Sequence, residues 1–426
     1  MKFTEKLNQV WRIKDLRRSI LFVFFILVVF RIAAHIPVPG VNLENLKDLF
    51  NRNQFLGMIN LLSGGAMGNF SVVALGLGPY ITATIIMQLL TMIFPRLEAI
   101  AKEGSSGHKR IENYSRIITV PLAILQAYSM LKIFSQTNPP IVGNIGWAQM
   151  LTTMLVMTAG TMFLVWLGDL ITEKKIGNGV SLLIFAGIVE TLPQSFGKAI
   201  VSFNSAQVVD WAVLAILAVL TVAAVVFITE AQRNIPVTYA RRIQGNKMYG
   251  GMDTYLPIKV NQTGMIPIIF AVSIVIFPGL IGQFLKQVST HWIASLGNFL
   301  TNFFQNQTIY GVCYFLLVFV FTYFYTSIIF HPDQISENLQ KQGAFIPGIR
   351  PGQPTASYLS AVSSRIMLAG ALFLGLVAVL PVITQNFFKM SPFAIGGAAV
   401  LIVVSVVLET IKQINAQVSM HEYETF

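Results

Sequence analysis

The chain has 426 residues, of which 54% are hydrophobic and only 11% are charged, and its formal net charge is +11. The mean hydropathy of +0.66 excludes an ordinary soluble domain and indicates a bundle of membrane helices. The single cysteine, Cys313, excludes an internal disulfide.

The first apolar run covers residues 20–38 and contains Arg31 near its outer end. A small-residue cleavage pattern is missing after this run, because the chain continues with the residues HIPVPG. We therefore expect the run to be a membrane span and not a cleaved signal peptide. Arg31 is expected to snorkel, with its aliphatic stem in lipid and its guanidinium at the interface.

The next apolar stretch is broken by glycines. Residues 56–69 read LGMINLLSGGAMGN, which is too short and too rich in glycine to cross a bilayer. Residues 71–94 then form a full apolar run, with Pro79 near the start of the predicted helix. Irregular backbone at membrane depth survives only where protein covers it or where it lines a cavity. The pattern therefore predicts a pore or a transport site.

Apolar runs long enough to cross a bilayer of about 30 Å recur along the whole chain. They cover residues 20–38, 71–94, 116–134, 148–168, 179–202, 209–229, 261–284, 308–330, 359–383 and 393–411. Divided near residue 205, they form two halves of five. An odd number of spans in each half predicts that the halves have opposite orientations, as in inverted-repeat membrane proteins.

Basic residues predict which ends of the spans face the cytoplasm. With a cytoplasmic N-terminus, 22 of the 29 Lys and Arg residues fall on the cytoplasmic side. The positive-inside rule then places both termini in the cytoplasm.

Two predicted cytoplasmic loops are large and rich in aromatic, glycine and proline residues. The loop between spans six and seven covers residues 230–261, and the loop between spans eight and nine includes residues 341–355. Glycine and proline at this density favour shaped turns over helix. Topology alone requires neither aromatics nor such turns, so we interpret the two loops as a docking surface.

Motifs for enzymatic chemistry are missing from the sequence. It has no phosphate-binding loop, no nucleophile elbow and no HExxH motif, and its five histidines lack metal-ligand spacing. We therefore expect a protein that is not an enzyme and holds no metal or cofactor. The predicted spans also lack charged residues at mid-membrane, which argues against an ion-coupled transporter.

A pore without charges can be closed by aliphatic side chains that expel water. The second span offers Ile81 and Ile85 one helical turn apart, and the fifth offers Val180 and Ile184 at the same spacing. Taken alone, such pairs more often face lipid or a protein core.

Several long motifs resemble the SecY family, whose members are the central subunits of bacterial protein-conducting channels. They are LLSGGA (61–66), SVVALGLGPYITATIIMQLL (71–90), LGDLITEKKIGNGVSLLIFAGIV (167–189), LPIKVNQTGMIPIIFA (256–271) and GAFIPGIRPGQPT (343–355). Together with the IPVPG that follows the first span, they extend in collinear order over nearly the whole chain.

The resemblance implies an all-α membrane protein with ten transmembrane helices in two inverted, pseudo-symmetric halves, residues 1–205 and 206–426. It implies a half-helix plug at about residues 57–70. Such a channel translocates unfolded preproteins across the bacterial cytoplasmic membrane and releases hydrophobic segments sideways into it.

The resemblance also implies roles for particular residues. The apolar pore ring would consist of Ile81, Ile85, Val180, Ile184, Ile269 and Ile402. The plug would comprise Asn60, Leu61, Leu62, Ser63, Gly64, Gly65, Ala66, Met67, Gly68 and Asn69. Gln88 and Phe277 would belong to a lateral gate between spans two and three on one side and seven and eight on the other. Partner docking would use Arg241, Arg242, Lys247 and Arg350.

The partners implied by the resemblance are small SecE-like and SecG-like membrane subunits, the SecA motor ATPase, the ribosome (rRNA and protein at its exit), preproteins and membrane lipids. The residues alone leave two alternatives open. One is a secondary transporter of ten helices with a broken span at its substrate site. The other is an assembly or insertase factor without a continuous pore.

Overall fold

A computed structural model describes residues 10–39, 41, 45–46, 63, 65–135, 141, 143, 146–201, 208–239, 242–244, 247–249, 253–285, 291–388 and 397–424. The helices are α1 (Lys14–Ala34), α2 (Gly78–Ile93), α3 (Pro95–Lys102), α4 (Ser105–Ser135), α5 (Trp147–Glu173), α6 (Gly179–Val201), α7 (Val208–Glu230), α8 (Ile266–Leu285), α9 (His291–Gln305), α10 (Gln307–Ile329), α11 (Pro332–Lys341), α12 (Gln353–Phe388) and α13 (Gly397–Glu424). The strands are β1 (Gln232–Tyr239), β2 (Arg242–Gln244), β3 (Lys247–Tyr249), β4 (Asp253–Lys259) and β5 (Ala344–Phe345).

The chain divides into two compact units. The first contains Met1–Val208, Ile276–Asn306 and Met390–Phe426, and the second contains Val209–Val275 and Gln307–Lys389. In the first unit, α4 packs against both α2 and α5, and α6 packs against α5 and α13. In the second unit, the main helix pair is α10 with α12, and α11 also packs on α12. The predicted inverted halves, 1–205 and 206–426, concern symmetry in the membrane and stay a prediction.

Each of the ten predicted apolar runs falls on a helix of the structure. Among the described residues, six helices are long and apolar enough to span a membrane: Ser105–Ser135, Trp147–Glu173, Trp211–Glu230, Thr308–Lys341, Gln353–Leu380 and Ala399–His421. A seventh is added if Gly78–Ile93 and Pro95–Lys102, which are bent by 104°, count as one span. Gly179–Pro193 and Ile266–Val275 are shorter apolar helices.

The segment between the second and third predicted spans is mostly helical. The third predicted span begins at residue 116, but α3 and the first part of α4 already make most of residues 95–116 helical. Charges one turn apart support it, because Lys102 Nζ lies 2.6 Å from Glu98 Oε1 and Arg116 NH2 lies 3.1 Å from Glu112 Oε1. Such pairs stabilise helix surfaces, so α4 extends beyond its apolar stretch.

The fold is mostly helical, as the all-α class predicts, and short strands are added in the loop regions. Strands form a three-stranded sheet in the order β4-β1-β5 and a two-stranded sheet of β2 and β3. β1 and β4 are antiparallel, from Gln232 opposite Lys259 to Thr238 opposite Asp253. β5 pairs with β1 only at Thr238 and Tyr239. At Pro236, β1 is therefore paired on one side only, where a residue without a backbone N–H is tolerated.

Candidate pore, plug and docking sites

The residues before α2 form a folded turn segment, defined here as Ser63 together with residues 65–77. Its backbone is hydrogen-bonded to the chain that follows α1. Val38 N–H donates to the carbonyl oxygen of Phe70 at 2.9 Å, and Val72 N–H donates to that of Ile36 at 3.0 Å. These bonds fix the entry into α2, which begins at Gly78 and not at residue 71 as predicted.

Protein covers the turn segment, as irregular backbone at membrane depth requires. Ala66, Phe70 and Val73 are completely buried. Phe70 belongs to an apolar cluster with residues of α4 and α5, and its ring centroid lies 5.8 Å from that of Phe134. The described part of the broken stretch is therefore sheltered by protein.

A close helix approach holds the turn segment against α5. A Cβ atom built on Gly160 of α5 would lie only 2.1 Å from the carbonyl oxygen of Val72. Real Cβ atoms do not approach so closely, so this contact needs glycine at position 160.

The structure describes part of the predicted plug. Ser63 and residues 65–69 lie in turns, whereas Asn60, Leu61, Leu62 and Gly64 lie outside the described residues. The described part is therefore turn and not the predicted half-helix. Met67 N–H donates to Ser63 Oγ at 3.1 Å, and Gly65 has a φ of +76°, which favours glycine.

Five of the six predicted pore-ring residues belong to the first unit. Ile85 on α2, Ile184 on α6 and Ile402 on α13 are buried, with exposed fractions of 5%, 3% and 1%. Ile81 and Val180 are half-buried one turn before Ile85 and Ile184. Because α13 packs against α6, two of the three elements that carry these residues are in contact.

The sixth predicted pore-ring residue lies in the second unit. Ile269 is on the first turn of α8 and is 7% exposed. The assignment of all six residues to one ring stays a prediction.

The two predicted lateral-gate residues are described to different extents. Gln88 is half-buried on α2, and its Oε1 atom is buried without a hydrogen bond from any described residue. Phe277 lies on α8, but its side chain is outside the described part of the chain.

An ion pair that the sequence analysis missed joins α1 to α6. The Arg31 guanidinium contacts the Glu190 carboxylate, and His35 Nε2 lies 3.4 Å from Glu190 Oε1. The Arg31 and Glu190 side chains are only 22% and 26% exposed. Arg31 therefore pairs within the protein, where the sequence predicted a snorkelling side chain. The sequence did carry a signal for this pairing, because Arg31 and Glu190 are opposite charges at the outer ends of predicted spans.

A second ion pair joins α4 to α5. Arg116 NH2 lies 3.1 Å from Asp169 Oδ2 as well as from Glu112 on its own helix. The Arg116 and Asp169 side chains are 32% and 30% exposed, which is close to the exposure of the Arg31–Glu190 pair.

The two predicted docking loops meet in the three-stranded sheet, which we call the loop sheet (β1, β4 and β5). Its apolar face packs on α12 through a buried cluster that is formed by Ile235, Val237, Ile258, Ala344, Ile346, Leu359 and Val362. Loops from distant parts of the sequence thus share one small core, which fixes their relative positions.

The predicted docking residues are described to different extents. Arg350 is exposed in the turn after β5, where its carbonyl oxygen accepts a hydrogen bond from Thr355 Oγ1 at 2.9 Å. The turn is preorganised by Gly348, whose φ is +81°. Arg242 and Lys247 lie on the paired strands β2 and β3, with side chains outside the described part, and Arg241 lies outside it entirely.

Comparisons with known proteins agree with these features. The SecY family model matches residues 71–411. The protein translocase subunit SecY of Streptomyces galbus is 42% identical over 434 residues, which cover 98% of both chains.

Two solved structures share the fold. A SecY protein whose plug domain stabilises the closed state of the translocation channel and maintains a membrane seal matches with a TM-score of 0.64 at 18% identity, over 93% of this chain and 91% of that one. Sec61 in the canine ribosome-channel complex from the endoplasmic reticulum matches with a TM-score of 0.60 at 17% identity, over the same shares. Family match, sequence identity and fold together establish that the chain is a bacterial membrane protein and belongs to the SecY family of protein translocase subunits.

Proposed function

We propose that this chain is the central, pore-forming subunit of a bacterial protein-conducting channel and is not itself an enzyme. The observation that carries the proposal is the turn segment, an irregular and buried stretch at the start of an apolar span. In a chain of this family, a sheltered segment that interrupts a span suits a plug that closes a path through the membrane.

The closed channel would be sealed at two levels. Residues 60–69 would act as the plug, and the apolar ring of Ile81, Ile85, Val180, Ile184, Ile269 and Ile402 would act as a gasket. Aliphatic side chains suit this role because a narrow apolar constriction expels water and ions without needing charge. The burial of Ile85, Ile184 and Ile402 supports the proposal, since a closed ring shields its members from solvent.

A lateral gate would let hydrophobic segments leave the channel sideways. We assign Gln88 and Phe277 to this gate, between spans two and three and spans seven and eight. The buried Oε1 atom of Gln88 supports the assignment, because burying a polar atom without a hydrogen bond costs free energy in the closed state and so favours opening.

The ten helices would form two inverted halves of five spans in the cytoplasmic membrane, with both termini in the cytoplasm. The supporting observations are the coincidence of all ten apolar runs with helices and the basic residues that cluster on one side. The loop sheet would then face the cytoplasm.

The loop sheet and the turn that carries Arg350 would dock cytoplasmic partners, with Arg241, Arg242 and Lys247 at the tip. A basic, preorganised surface suits the ribosome, through rRNA and protein at its exit, and the SecA motor. SecE-like and SecG-like subunits would complete the assembly in contact with membrane lipids, and preproteins would be the transported substrates. The energy for transport would come from these partners.

Crosslinking to a stalled substrate tests the pore assignment. In a Cys313→Ala background, Ile85→Cys is introduced, and the protein is reconstituted with a SecE-like subunit, SecA and ATP. We expect a disulfide between position 85 and a cysteine in a stalled preprotein, because the substrate must pass the ring. Electrophoresis without reductant measures it.

Ile93→Cys on the same helix is the matched control for this crosslink. Ile93 is 68% exposed at the end of α2, so we expect no disulfide there. A protease-protected substrate that crosslinks at neither position would contradict the ring assignment.

Deletion of residues 60–69 separates a plugged channel from an insertase without a pore. We expect the resting ion conductance of the reconstituted complex to rise about tenfold, because an apolar constriction alone seals less completely than a constriction with a plug. Planar-bilayer recording measures it, and removal of the SecE-like subunit controls for assembly. Unchanged conductance in a correctly assembled complex would contradict the channel proposal.

A further inference from the structure

Three ionisable side chains meet where α1, α6 and the turn segment come together. Glu190 of α6 contacts Arg31 of α1, and its Oε1 atom lies 3.4 Å from His35 Nε2. His35 is anchored in turn, because its Nδ1 atom lies 2.9 Å from the carbonyl oxygen of Arg31. The Glu190 carboxylate is thus held from two sides by the C-terminal end of α1.

The pair lies in surroundings where charges interact strongly. The Arg31 and Glu190 side chains are 22% and 26% exposed, so most of their surface is removed from water. Coulomb attraction is several times stronger in such a medium than in bulk water. Removing one partner withdraws this attraction from a charge that stays half-buried, which destabilises that arrangement.

The Glu190 carboxylate also lies against the backbone of the plug. A Cβ atom built on Gly65 would stand 3.5 Å from Glu190 Oε2, which is an ordinary van der Waals contact. The next residue, Ala66, accepts the Ser71 N–H at 3.0 Å through its carbonyl oxygen. The carboxylate therefore lies next to the same hydrogen-bonded turn that leads into α2, within the reach of one added methyl group.

We propose that Glu190 is a plug-positioning residue. Its carboxylate, which is fixed by Arg31 and His35, lies beside the turn at Gly65 and holds this turn in place. A movement that separates α1 from α6 breaks the ion pair, and the Glu190 carboxylate then no longer holds the turn in place. The pair thus couples the spacing of two spans to the seating of the plug. The inference rests on the proposed channel function.

Accessibility of the plug tests this inference. Met67 is 8% exposed in the seated turn, so Met67→Cys in the Cys313→Ala background reports when the turn leaves its site. In the reconstituted resting complex, a membrane-impermeant maleimide is added on the outer side. We expect Glu190→Gln to speed labelling about five- to tenfold, since a half-buried pair contributes more than an exposed one.

Two further variants separate positioning from general stability. Asp169→Asn removes the acid of the Arg116–Asp169 pair, which has similar exposure but joins α4 to α5, and labelling is expected to stay at the parent rate. The double variant Arg31→Glu with Glu190→Arg restores an ion pair of reversed polarity and is expected to slow labelling again.

Two outcomes would overturn the inference: Glu190→Gln labelled at the parent rate, or Asp169→Asn labelled as fast as Glu190→Gln. Deletion of residues 60–69 keeps this failure distinct from failure of the channel proposal. If the deletion raises conductance while Glu190→Gln leaves labelling unchanged, the channel stands and the positioning role is wrong. If the deletion leaves conductance unchanged, the channel proposal itself fails.

Discussion

Ile85→Asn is expected to let preproteins with defective signal sequences cross the membrane about tenfold more efficiently than the parent chain does. A tenfold effect corresponds to about 1.4 kcal/mol in the gating free energy. Ile85 is 5% exposed on α2, so an amide at this position places a polar group in the proposed gasket of the closed channel. The closed state is thereby destabilised relative to an open, hydrated one.

The size of the effect follows from two free energies of similar magnitude: the one that a signal sequence supplies and the one that opening the gate requires. An apolar core of about ten residues, at about −0.3 to −0.6 kcal/mol each, supplies about 3–6 kcal/mol on entering the bilayer. Moving a two-state gate from 1:99 to 99:1 needs about 5.5 kcal/mol. A signal with a shortened core supplies less than this free energy in the parent chain. A weaker seal lowers the free energy of opening, so that the same signal can open the gate.

Export of a reporter enzyme behind a graded series of signal sequences measures this prediction. Ile85→Leu keeps an aliphatic side chain and is expected to behave as the parent. Met87→Asn is the matched control, because Met87 is also buried on α2, at 3% exposure, but lies outside the proposed ring. Equal export in Ile85→Asn and Met87→Asn would show that Ile85 has no special position at the pore.

Gly160→Ala is expected to lower the free energy of unfolding by about 3 kcal/mol, the upper part of the range for overpacking a core. The added methyl group would lie 2.1 Å from the carbonyl oxygen of Val72, so α5 and the turn segment must separate. Thermal unfolding of the purified complex in detergent measures the change as a lower midpoint.

Gly197→Ala is the matched control for this destabilisation. Gly197 also lies in a helix, α6, and none of the described atoms lies within 4 Å of a Cβ built there. Alanine is expected to stabilise that helix by up to about 1 kcal/mol, because glycine is the poorer helix former. If Gly160→Ala unfolds at or above the parent temperature, the close contact of α5 with the turn segment does not exist in solution.

Local features of the chain were predicted where neighbouring residues decide the structure. Long apolar runs located the helices, and Pro79 marked the first turn of α2. Glycines in residues 56–69 indicated irregular backbone, and the density of glycine and proline in residues 341–355 indicated the turns around Gly348. Each of these predictions depends on hydropathy or φ preference within a few residues.

Boundaries and strands were predicted less well, because contacts compete with local pattern there. Charged residues placed the start of the third predicted span at residue 116, but the helix begins at Ser105, because ion pairs between side chains satisfy those charges. β5 is only two residues long and pairs with β1, more than a hundred residues earlier in the chain. A strand so short has no pattern of its own and forms only because its partner is present.

The sequence by itself determined the membrane class, the position of the helices and the family, because composition, hydropathy and long motifs are properties of the linear chain. Only the tertiary structure decided that Arg31 meets Glu190 beside Gly65, that Gly160 lies against Val72 and that two distant loops share the core of the loop sheet. These contacts join residues far apart in the chain. They depend on how the helices pack, which no local pattern specifies.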